Sequence, residues 1–132
     1  MRAPDDDDLD RLARLLATCE LHDVGPDVAD AEESIRADLV ADWNRDGFER
    51  STDARLVEEK GIPVGYADVY LRSNGEAFVK GCVSPEHRGR GIGTALLDVV
   101  EGRAAGGEKL RTVISGVNPT AHASLAPLAQ TP

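Results

Sequence analysis

Val83-Ser84-Pro85-Glu86-His87-Arg88-Gly89-Arg90-Gly91-Ile92-Gly93-Thr94-Ala95-Leu96-Leu97 is the stretch around which the rest of the chain can be organised. An apolar run, Val79 to Val83, breaks at Ser84-Pro85, and a glycine-rich turn then feeds the apolar helical stretch Thr94 to Val100. A strand–turn–helix of this kind aims several backbone N–H groups and the positive end of a helix dipole at one point, which suits a phosphate-bearing ligand. The glycines let the backbone approach such a ligand closely. Arg88 and Arg90 flank the turn and can add charge-assisted hydrogen bonds.

Two phosphate loops are excluded by spacing. A Walker A loop needs Gly-Lys-Ser/Thr, which occurs nowhere in the chain. A dinucleotide fingerprint needs Gly-x-Gly-x-x-Gly, but counting from Gly89 and Gly91 puts Thr94 where the third glycine belongs. A corner in which the glycines serve backbone geometry alone would leave two arginines and a histidine clustered without use. The block from Val83 to Leu97 resembles the acyl-CoA-binding motif of the GNAT family, the GCN5-related N-acetyltransferases. That motif runs Arg or Gln, two free positions, Gly, one free position, then Gly or Ala; Arg88, Gly91 and Gly93 occupy these places.

Length and charge agree with a small domain that binds a polyanion. The 132 residues have room for one domain with a modest core, and 4% aromatic content leaves that core to Leu, Val, Ala and Ile. The net charge of −9 is unevenly spread. Residues 1–60 hold 18 acidic and 8 basic side chains, whereas 61–132 hold 6 and 7. The less negative half is the one carrying the glycine-rich turn, as electrostatic guidance of an anion requires. Overall acidity argues against nucleic-acid binding. No stretch is apolar enough to span a membrane and the N-terminus is acidic where a signal peptide is basic, so a cytoplasmic location is expected. Cys19 and Cys82 lack metal-ligand spacing and read as free thiols of a reducing compartment; no metal is expected.

Periodicity supplies the elements. Met1 to Ala3 reads as the stub of a first strand, and Asp5 to Asp8 as a helix cap and first turn rather than a metal site. Leu9, Leu12, Leu15, Leu16 and Cys19 predict a helix over Asp8–Glu20, with a loop over His22–Asp27. Ile35, Leu39 and Trp43 predict a second helix from about Asp30 to Trp43. Strands are expected over Thr52–Glu58, Ile62–Leu71 and Glu76–Val83, the last two joined by a Ser73-Asn74-Gly75 turn. A helix from about Gly91 to Ala105 should face the sheet with Ile92, Leu96, Val99 and Val100, ending at Gly106-Gly107. A fifth strand, Leu110–Val117, and a short helix over Pro119–Leu128 follow. This order resembles the family fold: α/β (α+β), with a central mixed, mostly antiparallel sheet of about five strands flanked by helices, in a single domain over 1–132.

The resemblance implies a mechanism: direct attack of an amine on the thioester of acetyl-CoA. The amides of Arg88, Gly89, Arg90, Gly91, Ile92, Gly93 and Thr94 would take the pyrophosphate, with Arg88 the nearer of the two arginines. The backbone of Cys82 and Val83 would pair with the pantetheine arm. Asn118 matches an asparagine common near that arm, or simply starts a helix as Asn-Pro. A carboxylate must deprotonate the incoming ammonium. Glu76 and Asp68 are the candidates, and either can equally be a solvent-facing strand residue, while Glu86 and His87 shape the turn. The acceptor would be a small-molecule amine or a protein amino group. Acidic residues between Asp23 and Asp46 suit a cationic acceptor such as a polyamine, an aminoglycoside or a lysine side chain, and solvated helix faces explain them as well.

Two departures from the family pattern stand out. The tyrosine that often follows the asparagine by seven residues, and protonates the leaving thiolate, is replaced by Leu125. The family's last two strands have no counterpart before Pro132, which would leave the fifth strand a bare edge. Three explanations stand side by side: a second copy completes the sheet, the chain is one half of a tandem acetyltransferase and pairs with a second GNAT half, or the domain is C-terminally truncated. The opening of the chain and the Asn118 segment resemble the N-terminal half of two-domain acetyltransferases of the mycothiol synthase type. A CoA-binding domain without turnover is the alternative reading.

Overall fold

A computed structural model describes residues 1–71, 76–104 and 109–115. The expected turn at 73–75, the Gly106-Gly107 cap, Asn118 and the final helix lie outside the described residues. Three helices precede the sheet or flank its start: α1 (Leu9–Val24), α2 (Glu32–Trp43) and the single turn α3 (Arg50–Asp53). Strands β1 (Ala54–Glu59), β2 (Ile62–Leu71) and β3 (Glu76–Val83) follow, then α4 (Ile92–Ala104) and β4 (Lys109–Ser115).

The sheet order is β1-β2-β3-β4. The first two pairings are antiparallel and β3–β4 is parallel, so the sheet is mixed and mostly antiparallel. The expected first-strand stub is present as a bridge at the β1 edge: Arg2 donates its N–H to Leu56 at 3.0 Å and accepts from Leu56 at 2.8 Å. Beside it Asp8, 1% exposed, holds the entry to α1 in place. It takes both Nη atoms of Arg2 at 2.8 Å, Arg11 at 2.6 Å and the Asp5 N–H at 2.8 Å. Those hydrogen bonds, the Arg2 pair first, hold its carboxyl far below the usual range.

Alternation along the strands splits the core between the two faces of the sheet. Ala67, Val69, Val79 and Val83 pack under Leu96, Leu97 and Val100 of α4. Leu56, Tyr66 and Cys82 face Leu12, Cys19 and Leu39 of α1 and α2. The α4 face differs from expectation by one position. Leu97 is buried and Val99 is 39% exposed: at 100° per residue the two flank the Leu96–Val100 line symmetrically, and the sheet covers the Leu97 side.

Two boundaries also move. Helix α1 runs through His22-Asp23-Val24, expected as loop, since nothing opposes the helix until Gly25-Pro26. Thr52 and Asp53, expected in a strand, belong to α3, whose first turn is closed by the Glu49 N–H donating to Asp53 Oδ2 at 2.9 Å. Among the described residues no helix is long and apolar enough to cross a membrane.

Candidate functional site

β3 delivers the chain to the glycine-rich turn and α4 carries it away. The Ser84 N–H still pairs with Val64 O at 2.8 Å, after which Pro85–His87 make one 3-10 turn. Gly89 and Gly91 adopt φ of +81° and +84°, a region that L side chains rarely enter. The space beside each is open, so conformation, not crowding, selects glycine here. The first α4 hydrogen bond runs from the Ala95 N–H to Gly91 O at 3.0 Å. The amides of Ile92, Gly93 and Thr94 therefore precede the helical ladder and stand at its positive end. A second glycine signal sets how close that end lies to the sheet. A Cβ on Gly65 of β2 would stand 2.8 Å from Ile92 Cγ2 and 3.1 Å from Leu96 Cδ1.

The two arginines divide their work differently from the expectation that Arg88 is the nearer phosphate ligand. The Arg88 guanidinium donates to both carboxylate oxygens of Asp23, at 2.7 and 3.0 Å, and through Nε to Val83 O at 3.0 Å. The Asp23 pair raises its already high pKa. Arg88 thus ties the end of α1 to the end of β3. Arg90 is exposed, with Nη1 3.7 Å from Glu59 Oε2; the same oxygen lies 3.3 Å from His87 Nε2. His87 Nδ1 is buried and has no hydrogen-bond partner among the described residues.

Next to the turn a cleft of about 360 Å³ opens between α1, α2 and the centre of β3. Tyr66, Lys80, Gly81 and Cys82 form its floor, and Glu20, Asp23, Asp30 and Asp38 stand among its walls. Cys19 and Cys82 are free, buried and both reach the cleft. Cys19 donates to Val83 O at 3.3 Å. Its hydrogen bond with Cys82 lowers the Cys19 thiol and raises that of Cys82, which burial pushes further up.

Of the candidate bases, Asp68 is 3% exposed and accepts the Tyr66 hydroxyl at 2.6 Å. Burial pushes its carboxyl up to about 6. In register it pairs with Lys80, three positions from Val83 or roughly 10 Å along an extended strand. Glu76 opens β3 opposite Lys109, seven positions from Val83 or roughly 23 Å. The Glu76 side chain lies outside the described set.

Several participants had weak or no local signals. Asp23 was hidden by the early end assigned to α1. Tyr66 and Asp68 were legible as i, i+2 neighbours on one strand face, but the contact of Tyr66 with Trp43 joins residues 23 apart. Gly81 could have been flagged as a glycine inside a strand, the usual mark of close backbone approach.

The chain belongs to the GNAT acetyltransferase family: the model for "Acetyltransferase (GNAT) family" matches residues 10–126. It is similar to a mycothiol acetyltransferase of Propionibacterium freudenreichii, 32% identical over 120 residues, covering 86% of this chain and 36% of that one. The chain thus spans about a third of that relative's length. Among solved structures, a GCN5-related N-acetyltransferase from Sphaerobacter thermophilus is 36% identical, with a TM-score of 0.62 over 79% of this chain and 31% of that one. A GNAT family acetyltransferase from Brucella melitensis, solved with acetyl-CoA, shares the fold at 17% identity, with a TM-score of 0.59 over 84% of this chain and 72% of that one.

Proposed function

We propose that this chain is an acetyl-CoA-dependent N-acetyltransferase domain acting on a primary amine. The observation that carries the reading is the set of amides at Ile92, Gly93 and Thr94, left free at the N-terminus of α4 behind two left-handed glycines. That cradle fits a pyrophosphate: it offers aligned donors, a helix dipole and open space beside Gly89 and Gly91. Bound there, acetyl-CoA supplies an acetyl thioester to the cleft. The backbone of Cys82 and Val83 would align the pantetheine arm, with Asn118 beyond it. Val83 O already accepts from Arg88 and Cys19, so an arm that donates to this carbonyl would displace one of them.

The amine would enter over the carboxylates of the cleft, and Asp68, which stands behind Tyr66 and does not itself line the cleft, would take its proton through an intervening water. A carboxyl of pKa about 6 is mostly ionised at pH 7 yet basic enough to accept. Its distance from the turn, along the strand, also favours it over Glu76. The amine nitrogen then attacks the thioester carbon, the C–N bond forms, the C–S bond breaks, and the leaving thiolate takes up the second proton that the nitrogen sheds, giving the amide and the thiol. The acidic walls favour an acceptor with additional positive charge, such as a polyamine, an aminoglycoside or a lysine side chain.

A second reading is favoured by one observation, the coverage of a third of the mycothiol acetyltransferase. In it the chain is a CoA-binding half that pairs with a second acetyltransferase half or a second copy. Calorimetric titration with acetyl-CoA, followed by thiol-release assays with spermidine, an aminoglycoside and Nα-acetyl-lysine, separates the two. Binding with release supports the transferase. Binding without release on any amine supports the half-domain, and absence of binding overturns both. Gly91→Glu should abolish binding, since its carboxylate would oppose the pyrophosphate; unchanged affinity would sink the assignment of the turn.

A further inference from the structure

We propose that Tyr66, braced by Trp43, is a positioning residue that holds the Asp68 carboxylate in the orientation and charge state needed to accept a proton; the inference rests on the transferase reading above. The contrast with Asp8 shows why Asp68 is not a structural anchor. Asp8 is equally buried but receives two guanidiniums and a backbone N–H, so both of its oxygens are spent. Among the described residues Asp68 receives one hydrogen bond, from a neutral phenol, to Oδ2. Among those residues no donor reaches Oδ1.

The direction of that hydrogen bond is fixed by chemistry. An indole N–H can only donate. Trp43 Nε1, on α2, lies 3.0 Å from Tyr66 Oη, so the phenol must accept there and spend its single proton on Asp68. The chain Trp43→Tyr66→Asp68 therefore runs one way, and a donor aimed at a carboxylate favours its charged form against the burial that opposes it. The other charges facing Asp68 come from β3 and the end of α2. Lys80, Asp42 and Arg45 are tied to one another, Lys80 and Arg45 each to one oxygen of Asp42. They offer Asp68 a nearby field but no hydrogen bond. Tyr66 lines the cleft beside Lys80, Gly81 and Cys82 while Asp68 does not, so the carboxylate stands one side chain behind the cleft floor.

The test is the pH profile of kcat/KM for thiol release with acetyl-CoA and the best amine of the panel, compared between wild type and Tyr66→Phe. The wild-type acid limb should lie near pH 6. In Tyr66→Phe it should move to higher pH, with activity lost at pH 6 regained by about pH 9 and acetyl-CoA affinity unchanged. Trp43→Phe, which leaves the phenol in place, should move the limb in the same direction by less, and it serves as the test if Tyr66→Phe does not fold. A limb that stays put, or a loss equal at every pH, would assign Tyr66 to packing and overturn the proposal. Wild-type turnover with an unmoved limb sinks this inference alone. Wild-type binding of acetyl-CoA without turnover sinks the transferase reading, and this inference with it.

Discussion

On one face of the sheet Ala67, Val69, Val79 and Val83 meet α4 through aliphatic contacts alone. On the other, the alternate residues of the same two strands include Tyr66, Asp68, Lys80 and Cys82, facing α1 and α2. Strand alternation lets one pair of strands serve two purposes, stability on one side and titratable chemistry on the other. The first face also contributes to function indirectly. By seating α4 hard against Gly65 it fixes where the free amides of Ile92 to Thr94 point. The second face holds groups whose burial opposes their charge. The faces should therefore respond to substitution with opposite signs.

The largest effect is expected where the two strands themselves touch. A Cβ on Gly81 would collide with the Tyr66 carbonyl and stand 2.7 Å from Ala67 Cα, backbone atoms that cannot move independently of β2. Gly81→Ala should cost more than about 4 kcal/mol, measured as loss of the cooperative urea transition. A variant that melts like wild type would mean the β2–β3 approach is looser than the structure has it. Next comes Leu96→Ala on the aliphatic face. Leu96 is fully buried, so roughly 2–5 kcal/mol of stability should be lost. Acetyl-CoA affinity should fall as well, because α4 loses a contact that seats its N-terminus. Lost stability with unchanged affinity would show that the turn is held independently of the helix behind it.

The contrast between the faces was only half legible in the amino-acid sequence. β2 and β3 begin and end where alternation and the flanking turn residues place them. The turn and α4 followed from three glycines and an apolar stripe, all within one stretch. Such features are local, and local pattern reports them well. Arg88 meeting Asp23 is of another kind, a pairing of residues 65 apart that depends on α1 continuing one turn further than its apolar stripe required. Trp43 is legible only as part of a helical stripe and Tyr66 only as a strand residue; packing alone brings Nε1 to Oη. Asp68 was identified as a candidate base, but its burial, and hence its elevated pKa, depends on how α2 covers the sheet. That angle has no signature in either element alone.

Asp68 itself offers the smallest change in stability and the most informative sign. Its carboxyl titrates at about 6 in the folded chain against an ordinary 3.8, so the folded state retains a proton that the unfolded state has released. Stability must then fall as pH rises from about 4 to about 6, and above that window the full penalty applies. At about 1.4 kcal/mol per pKa unit, that penalty is of order 2–3 kcal/mol. Asp68→Asn removes the charge and keeps an oxygen to accept the Tyr66 hydroxyl. Urea melts at pH 8 should find the variant more stable than wild type, by up to that amount, with the advantage vanishing near pH 4, where Asp68 is protonated in either state. Thiol release should be lost at both. A variant no more stable at pH 8 would mean that the field of Lys80 and Arg45 already offsets the burial of the charge. Asp68 would then resemble Asp8, a satisfied anion, and the two faces of the sheet would differ less than their composition suggests.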